Sequence, residues 1–230
     1  MTTPAPVPAA VLWDMDGTLV DTEPHWIAAE TALVGRYGAT WTHEQALQLV
    51  GSALPDSGRV LAEHVERATG VRLDPVVVVD ELIEAVIAQV SAAVVWRPGA
   101  VELLGALSAA GVPCALVTMS YRSLAETVAR MLPGAFAVVV AGDEVERGKP
   151  APDPYLRAAE LLGVAPGDCV TIEDSPTGVA SGEAAGAHVL ACPHMVPIPA
   201  AAGRSRVASL AEVDVAALGA IAAGRVLDTL

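Results

Sequence analysis

The sequence predicts an α/β fold: a Rossmann-like, doubly wound parallel sheet with a helical unit inserted after its first strand. Three observations predict it. The run Ala10–Trp13 is uninterrupted apolar and stops abruptly at Asp14, Asp16 and Gly17, as a short strand buried on both faces would. From Trp96 onward, short apolar runs alternate with helical segments closed by Gly111, Gly163 and Gly186, the pattern of strands joined by crossover helices. Between these regions no convincing strand interrupts residues 21–94. The expected division is therefore a core of residues 1–20 and 95–230 and a helical insertion of residues 21–94.

In chain order, Thr22–Tyr37 reads as a helix with Gly38 as its stop. Thr42 with Gln45 matches a capping box for a short helix over Thr42–Val50, and Gly51–Pro55 reads as a loop. A helix over Asp56–Thr69 ends at Gly70, and Asp74-Pro75 opens another that runs to about Ala93. The core resumes with a helix over Ala100–Ala109, a strand over Val112–Thr118, a helix over Ser123–Met131 and a strand over Ala135–Ala141. A helix over Asp153–Leu162, a strand over Cys169–Ile172, a helix over Thr177–Ala185 and a strand over His188–Ala191 follow. A short segment around Val207 and a helix over Glu212–Ala223 close the chain.

Composition excludes several roles. At 230 residues, 53% of them apolar, the chain can bury a large core, and with only 3% aromatics that core is built from Ala, Val and Leu. A formal net charge of −14 disfavours sequence-independent binding to nucleic acid or to anionic membranes. The same charge repels phosphorylated ligands, so a phosphate site needs a local positive centre. The window Val76–Val95 is broken by Asp80, Glu81, Glu84 and Gln89, with Leu82, Ile83, Val86, Ile87 and Val90 at helical spacing; it is an amphipathic helix, not a span. Cys114, Cys169 and Cys192 are odd in number and far apart, which argues against a disulfide framework or a zinc knuckle. Met1–Pro8 has neither a basic nor an apolar leader region. A cytoplasmic monomer is the expectation.

The strand ends carry the chemistry, because ligands of open α/β sheets bind at the C-terminal edge. Strand one ends in Asp14-Met15-Asp16-Gly17-Thr18, the next in Thr118-Met119-Ser120, the third is followed by Gly148-Lys149-Pro150, and the fourth ends in Glu173-Asp174-Ser175. Taken alone, the first of these is equally an acidic solvated turn. Together they supply carboxylates, hydroxyls and one ammonium, which is an oxygen-ligand metal site beside an anion site. Lys149 is the only lysine against twelve arginines, and a compact point charge suits a single phosphoryl oxygen.

These motifs resemble those of the haloacid dehalogenase-like superfamily of aspartate-nucleophile phosphohydrolases: Asp14-x-Asp16-Gly17-Thr18, then Thr118, Lys149 and Glu173-Asp174, in order over essentially the whole chain. The wider strings Asp-Gly-Thr-Leu-Val-Asp-Thr-Glu-Pro and Glu-Asp-Ser-Pro-Thr-Gly-Val resemble the subgroup of β-phosphoglucomutases and small sugar- or polyol-phosphate phosphatases. The resemblance implies a Mg²⁺ ion held by the carboxylates of Asp14 and Asp174 and the backbone carbonyl of Asp16, with Glu173 helping directly or through water. It implies Asp14 as nucleophile, Asp16 as general acid and base, and Thr118, Lys149 and the backbone N–H groups of Gly17, Met119 and Ser120 as holders of the phosphoryl group. The substrate would be a small phosphorylated metabolite.

The insertion falls where that family carries its first type of cap, with hinges around Asp21–Pro24 and Val94–Gly99. β-Phosphoglucomutases grip a second phosphate with basic cap residues, but Leu49–Pro55 contains no Lys or Arg, leaving Arg59 as the one nearby cation. A phosphatase is therefore preferred to a mutase. Asp16 and Asp174 argue against a metal-free dehalogenase, the absence of a cap lysine argues against a Schiff-base phosphonate hydrolase, and four retained motifs argue against an idle binding module. Asp21 and Thr22 are expected to shape the hinge, Ser175-Pro176 to start a helix, and the five histidines, which lack paired ligand spacing, to be structural or surface residues.

Overall fold

The structure, a computed structural model, describes residues 7–230. The readings that fall on residues 1–6 lie outside the described residues. Six strands form one sheet: β1 (Ala10–Trp13), β2 (Cys114–Val117), β3 (Val138–Val140), β4 (Cys169–Glu173), β5 (His188–Ala191) and β6 (Ser205–Arg206). They run parallel in the order β3-β2-β1-β4-β5-β6. The order reverses at β1, which opens a crevice beyond its C-terminal end. Register places Trp13 opposite both Leu116 and Ile172, so the residues just after β1, β2 and β4 converge on that crevice.

β1 is buried along its whole length. Alternation sends Val11 and Trp13 into one apolar cluster and Ala10 and Leu12 into another. Helices α5 (Ala100–Ala109), α6 (Arg122–Arg130), α7 (Asp153–Leu162), α8 (Pro176–Ala184) and α9 (Val215–Ala222) connect and flank the strands. β2 is shorter than the sequence suggests because Pro113 has no N–H to offer the ladder. The last helix starts late: Leu210–Glu212 forms a separate turn, and Asp214 then caps α9 by accepting from the Ala217 N–H at 2.7 Å.

Residues between β1 and α5 form α1 (Glu23–Arg36), α2 (His43–Leu47), α3 (Leu54–Thr69) and α4 (Pro75–Ala92). The Thr42–Gln45 capping box is present on both sides, at 3.2 and 2.9 Å, but α2 is only a short turn of helix. α3 begins at Leu54, inside the expected loop, because Pro55 fits the first helical turn. The chain crosses into and out of this region side by side: the Asp21 N–H donates to the Val95 carbonyl at 2.8 Å and the Arg97 N–H to the Leu19 carbonyl at 2.9 Å. One apolar cluster joins Trp13, Leu116 and Ile172 of the sheet to Leu33, Leu61, Leu82 and Val86 of the inserted helices. No helix among the described residues is long and apolar enough to cross a membrane.

Candidate active site

Lys149 is the centre of the crevice. It is buried, and its ammonium donates to Asp14 Oδ1 at 2.7 Å, to Glu173 Oε1 at 2.6 Å and to the Val117 carbonyl at 3.0 Å. Burial works to lower its pKa, but Asp14 and Glu173 outweigh it and hold the ammonium above the ordinary lysine range. Tyr155, from α7, donates to the same Glu173 oxygen at 2.6 Å and lays its ring 4.9 Å from Nζ. Nothing in the local sequence singles out Tyr155, whose position on an apolar helix face reads as plain core.

Glu173 is saturated. Its Oε2 accepts from the Asp174 N–H at 3.2 Å and from Ser175 Oγ at 3.2 Å, while Oε1 holds Lys149 and Tyr155. Besides standing in the carboxylate group with Asp14 and Asp174, it anchors Lys149. α8 can approach it only because residue 178 is glycine, where a Cβ would lie 1.8 Å from Glu173 Oε1.

Two other carboxylate oxygens have no partner. Asp14, Glu173 and Asp174 each present an oxygen within 4.8 Å of the others, and Asp14 Oδ2 and Asp174 Oδ2 are buried without a hydrogen bond. Buried acceptors left open cost stability unless a cation takes them. Burial, then the charge of Glu173, raises the Asp14 carboxyl to about 7 against the pull of Lys149, and burial with Asp14 raises Asp174 well above the carboxylate range. Gly17, at φ +86°, leaves the space: a Cβ there would sit 2.1 Å from Asp174 Oδ2. The donor set fits a hard divalent cation such as Mg²⁺.

Asp16 is more tightly held than the sequence suggests. Its Oδ1 accepts from Thr22 Oγ1 at 2.6 Å and Trp26 Nε1 at 3.2 Å, and its Oδ2 from Thr118 Oγ1 at 2.9 Å and Ser120 Oγ at 2.8 Å. Thr22 thus does more than shape the crossing, and the Thr118 and Ser120 hydroxyls face Asp16. Of the backbone groups expected to face phosphate, the Gly17 N–H donates to the Val20 carbonyl and the Ser120 N–H to Thr118 Oγ1. Met119 lines the crevice beside them, and its sulfur accepts from the Lys149 N–H at 3.3 Å. Nearby, Asp21 pairs with His194 at 3.0 Å and His25 with Gln89 at 2.9 Å, which gives these histidines structural partners.

The crevice continues into a cavity roofed by the inserted helices, with Asp14, Asp16, Ser120, Lys149 and Asp174 on its floor. The roof includes Trp26, Leu49, Ser52 and Leu82, and two acids, Glu23 and Glu30. Both acids are buried, at 6% and 5% exposure. Burial foremost, then Asp16, pushes Glu23 to about 8; burial pushes Glu30 to about 7 against the opposing bond from Trp41 Nε1 at 2.8 Å. The sequence carried a signal for them: Glu23, Trp26, Ile27 and Glu30 follow i, i+3, i+4, i+7, which places both acids on the stripe of α1 that faces inward.

A model of haloacid dehalogenase-like hydrolases matches residues 8–186. The chain is 38% identical over 182 residues to hexitol phosphatase A of Escherichia coli (strain K12), which covers 78% of this chain and 81% of that protein. It is 34% identical over 193 residues to the bifunctional riboflavin kinase/FMN phosphatase of Arabidopsis thaliana, a match covering 81% of this chain and about half, 49%, of that longer protein. Its structure superposes on CbbY of Rhodobacter sphaeroides in complex with xylulose-1,5-bisphosphate with a TM-score of 0.80 at 26% identity, covering 92% and 99% of the two chains. Fold, motif order and sequence agree, and the chain belongs to the haloacid dehalogenase-like hydrolases.

Proposed function

We propose that this protein is a Mg²⁺-dependent phosphatase that hydrolyses a small sugar or polyol phosphate through an aspartyl-phosphate on Asp14, working as a cytoplasmic monomer. The observation that carries the reading is the pair of open oxygens, Asp14 Oδ2 and Asp174 Oδ2, beside a Lys149 ammonium fixed 2.7 Å from Asp14 Oδ1. Asp14, Asp174 and the Asp16 carbonyl would hold the ion, which supplies Lewis-acid charge against the phosphoryl oxygens. Lys149 adds a fixed positive charge on the same group.

The residues then divide the work. An Asp14 oxygen attacks phosphorus and the ester P–O bond breaks, with Asp16 giving its proton to the leaving oxygen. A water then gives a proton to Asp16 and attacks the aspartyl-phosphate, which restores Asp14 and releases inorganic phosphate. The Thr118 and Ser120 hydroxyls pass from Asp16 to the phosphoryl oxygens when substrate enters, and this frees Asp16 to turn. The Met119 N–H joins them. Residues 21–94 serve as the cap over a core of 1–20 and 95–230 and exclude water from the aspartyl-phosphate until the leaving group has gone.

A mutase would need a grip for a second phosphate. Arg59 instead bonds Asp56 at 2.6 Å on the exposed face of α3 and does not line the cavity. The direct test is hydrolysis of p-nitrophenyl phosphate. Turnover is expected with Mg²⁺ and lost with EDTA, D14N is expected to abolish it, and D16N to slow it about a hundredfold or more with Mg²⁺ binding retained. Full rates in D14N or in EDTA would overturn the reading.

A further inference from the structure

The cavity holds a buried acid that the chemistry above does not use. Glu23 is 6% exposed, lines the cavity, and takes no hydrogen bond from any described residue. Every other acid there has a donor or a place in the metal site: Asp16 has four donors, Glu30 has Trp41, Asp14 has Lys149, and Asp174 has Thr18. Among the residues lining the cavity, Lys149 is the only cation, and its three protons are spent on Asp14, Glu173 and the Val117 carbonyl. The roof contributes two acids and the hydroxyls of Ser52 and Ser57, and otherwise apolar surface.

A buried carboxyl group without a partner is costly to keep. One stripe of α1 holds Glu23, and beside it Glu30 with the single donor Trp41, over the place where a leaving group must lie. We infer that Glu23, seconded by Glu30, forms a leaving-group subsite that recognises hydrogen-bond donors, hydroxyl or ammonium, and rejects a second anion. The inference rests on the phosphatase reading and narrows it. A hydroxyl or ammonium of the leaving group satisfies the open Glu23 oxygens and favours their ionised form, whereas a carboxylate or second phosphate would find no free cation among the lining residues to meet it.

Matched substrates test this. Glucitol 6-phosphate and 6-phosphogluconate differ at one end only, a hydroxymethyl against a carboxylate; glucose 6-phosphate and glucosamine 6-phosphate differ by an ammonium. With Mg²⁺ fixed, kcat/KM for glucitol 6-phosphate is expected to exceed that for 6-phosphogluconate by about tenfold or more. In E23Q the ratio of kcat/KM for glucitol 6-phosphate to that for p-nitrophenyl phosphate, which offers no donor, is expected to fall about tenfold, carried by KM. A higher value for glucosamine 6-phosphate than for glucose 6-phosphate assigns the donor as an ammonium, and a lower one as hydroxyl; either supports the subsite. Equal rates for glucitol 6-phosphate and 6-phosphogluconate, or an unmoved ratio in a folded E23Q, overturn it. If E23Q fails to fold, the substrate pairs with the native enzyme decide alone. No turnover of p-nitrophenyl phosphate overturns the phosphatase reading and this inference together, while turnover without discrimination overturns the inference only.

Discussion

At the scale of single residues, the site is a set of carboxylates whose surroundings push them apart in character. Glu173 is saturated by donors, Asp14 shares Lys149, Asp174 keeps an oxygen open, and Glu30 is buried with only Trp41 for company. Glu30 gives a clean stability prediction. Its carboxyl stands at about 7 in the folded chain against an ordinary 4.5, so the folded state holds a proton that the unfolded state has already released. That contribution to stability is complete below pH 4.5 and is lost as pH rises through about 7. Glutamine carries no charge and can still accept from Trp41, so E30Q is expected to gain on the native protein by about 3 kcal/mol between pH 4.5 and pH 8, read by urea unfolding at each pH. A difference that stays flat with pH would contradict it. Asp14, Asp16, Thr118, Lys149 and Asp174 were legible in the sequence because their spacing at strand ends is a local pattern. The partners of Asp16 were not, since Thr22 and Trp26 reach it from the start of α1 and Ser120 from the end of β2, which only the folded chain brings together.

Among the elements, α8 is the one whose packing most directly governs the chemistry. It abuts the Glu173 carboxylate through Gly178, and Ser175 caps it by accepting from the Gly178 N–H at 3.1 Å. In G178A the new methyl has no room short of moving Glu173, which would carry Lys149 away from Asp14. The expected outcome is a fall in kcat of about tenfold or more with a loss of about 1–3 kcal/mol in unfolding free energy. Wild-type kcat in G178A would show that Glu173 does not set the Lys149 position. Element types followed closely from periodicity and from Gly and Pro punctuation, as at Gly70 after α3 and Asp74-Pro75 before α4. Boundaries moved where capping competed with propensity: Asp214 took over the start of α9, and Pro55 pulled α3 into the loop before it. The two acids of α1 were hidden by expectation, because an inward stripe is read as apolar and Glu23 and Glu30 break that rule.

For the molecule as a whole, a net charge of −14 surrounds a site proposed to take an anion and a cation at once. Long-range repulsion of a phosphorylated substrate is screened by salt, and so is long-range attraction of Mg²⁺. Raising NaCl from about 20 to about 200 mM, where the screening length falls to near 10 Å or less, is therefore expected to lower KM for substrate severalfold at saturating Mg²⁺ and to raise the Mg²⁺ concentration needed for half-activity. Opposite trends would mean that local charges alone govern both. The overall architecture was the most legible level, since alternation after Trp96 demands a parallel sheet, whereas the continuity of one apolar cluster across sheet and insertion was not, because no local pattern says which helix faces meet. The paired crossings at Asp21–Val95 and Leu19–Arg97 carry one more consequence. The insertion leaves and rejoins the sheet at a single point, so it is topologically a cassette: it could be exchanged between relatives without disturbing strand order or register, provided the newcomer brings apolar faces in place of those of α1 and α4. On the proposed reading, leaving-group selectivity and phosphoryl transfer would then be separable units on one chain.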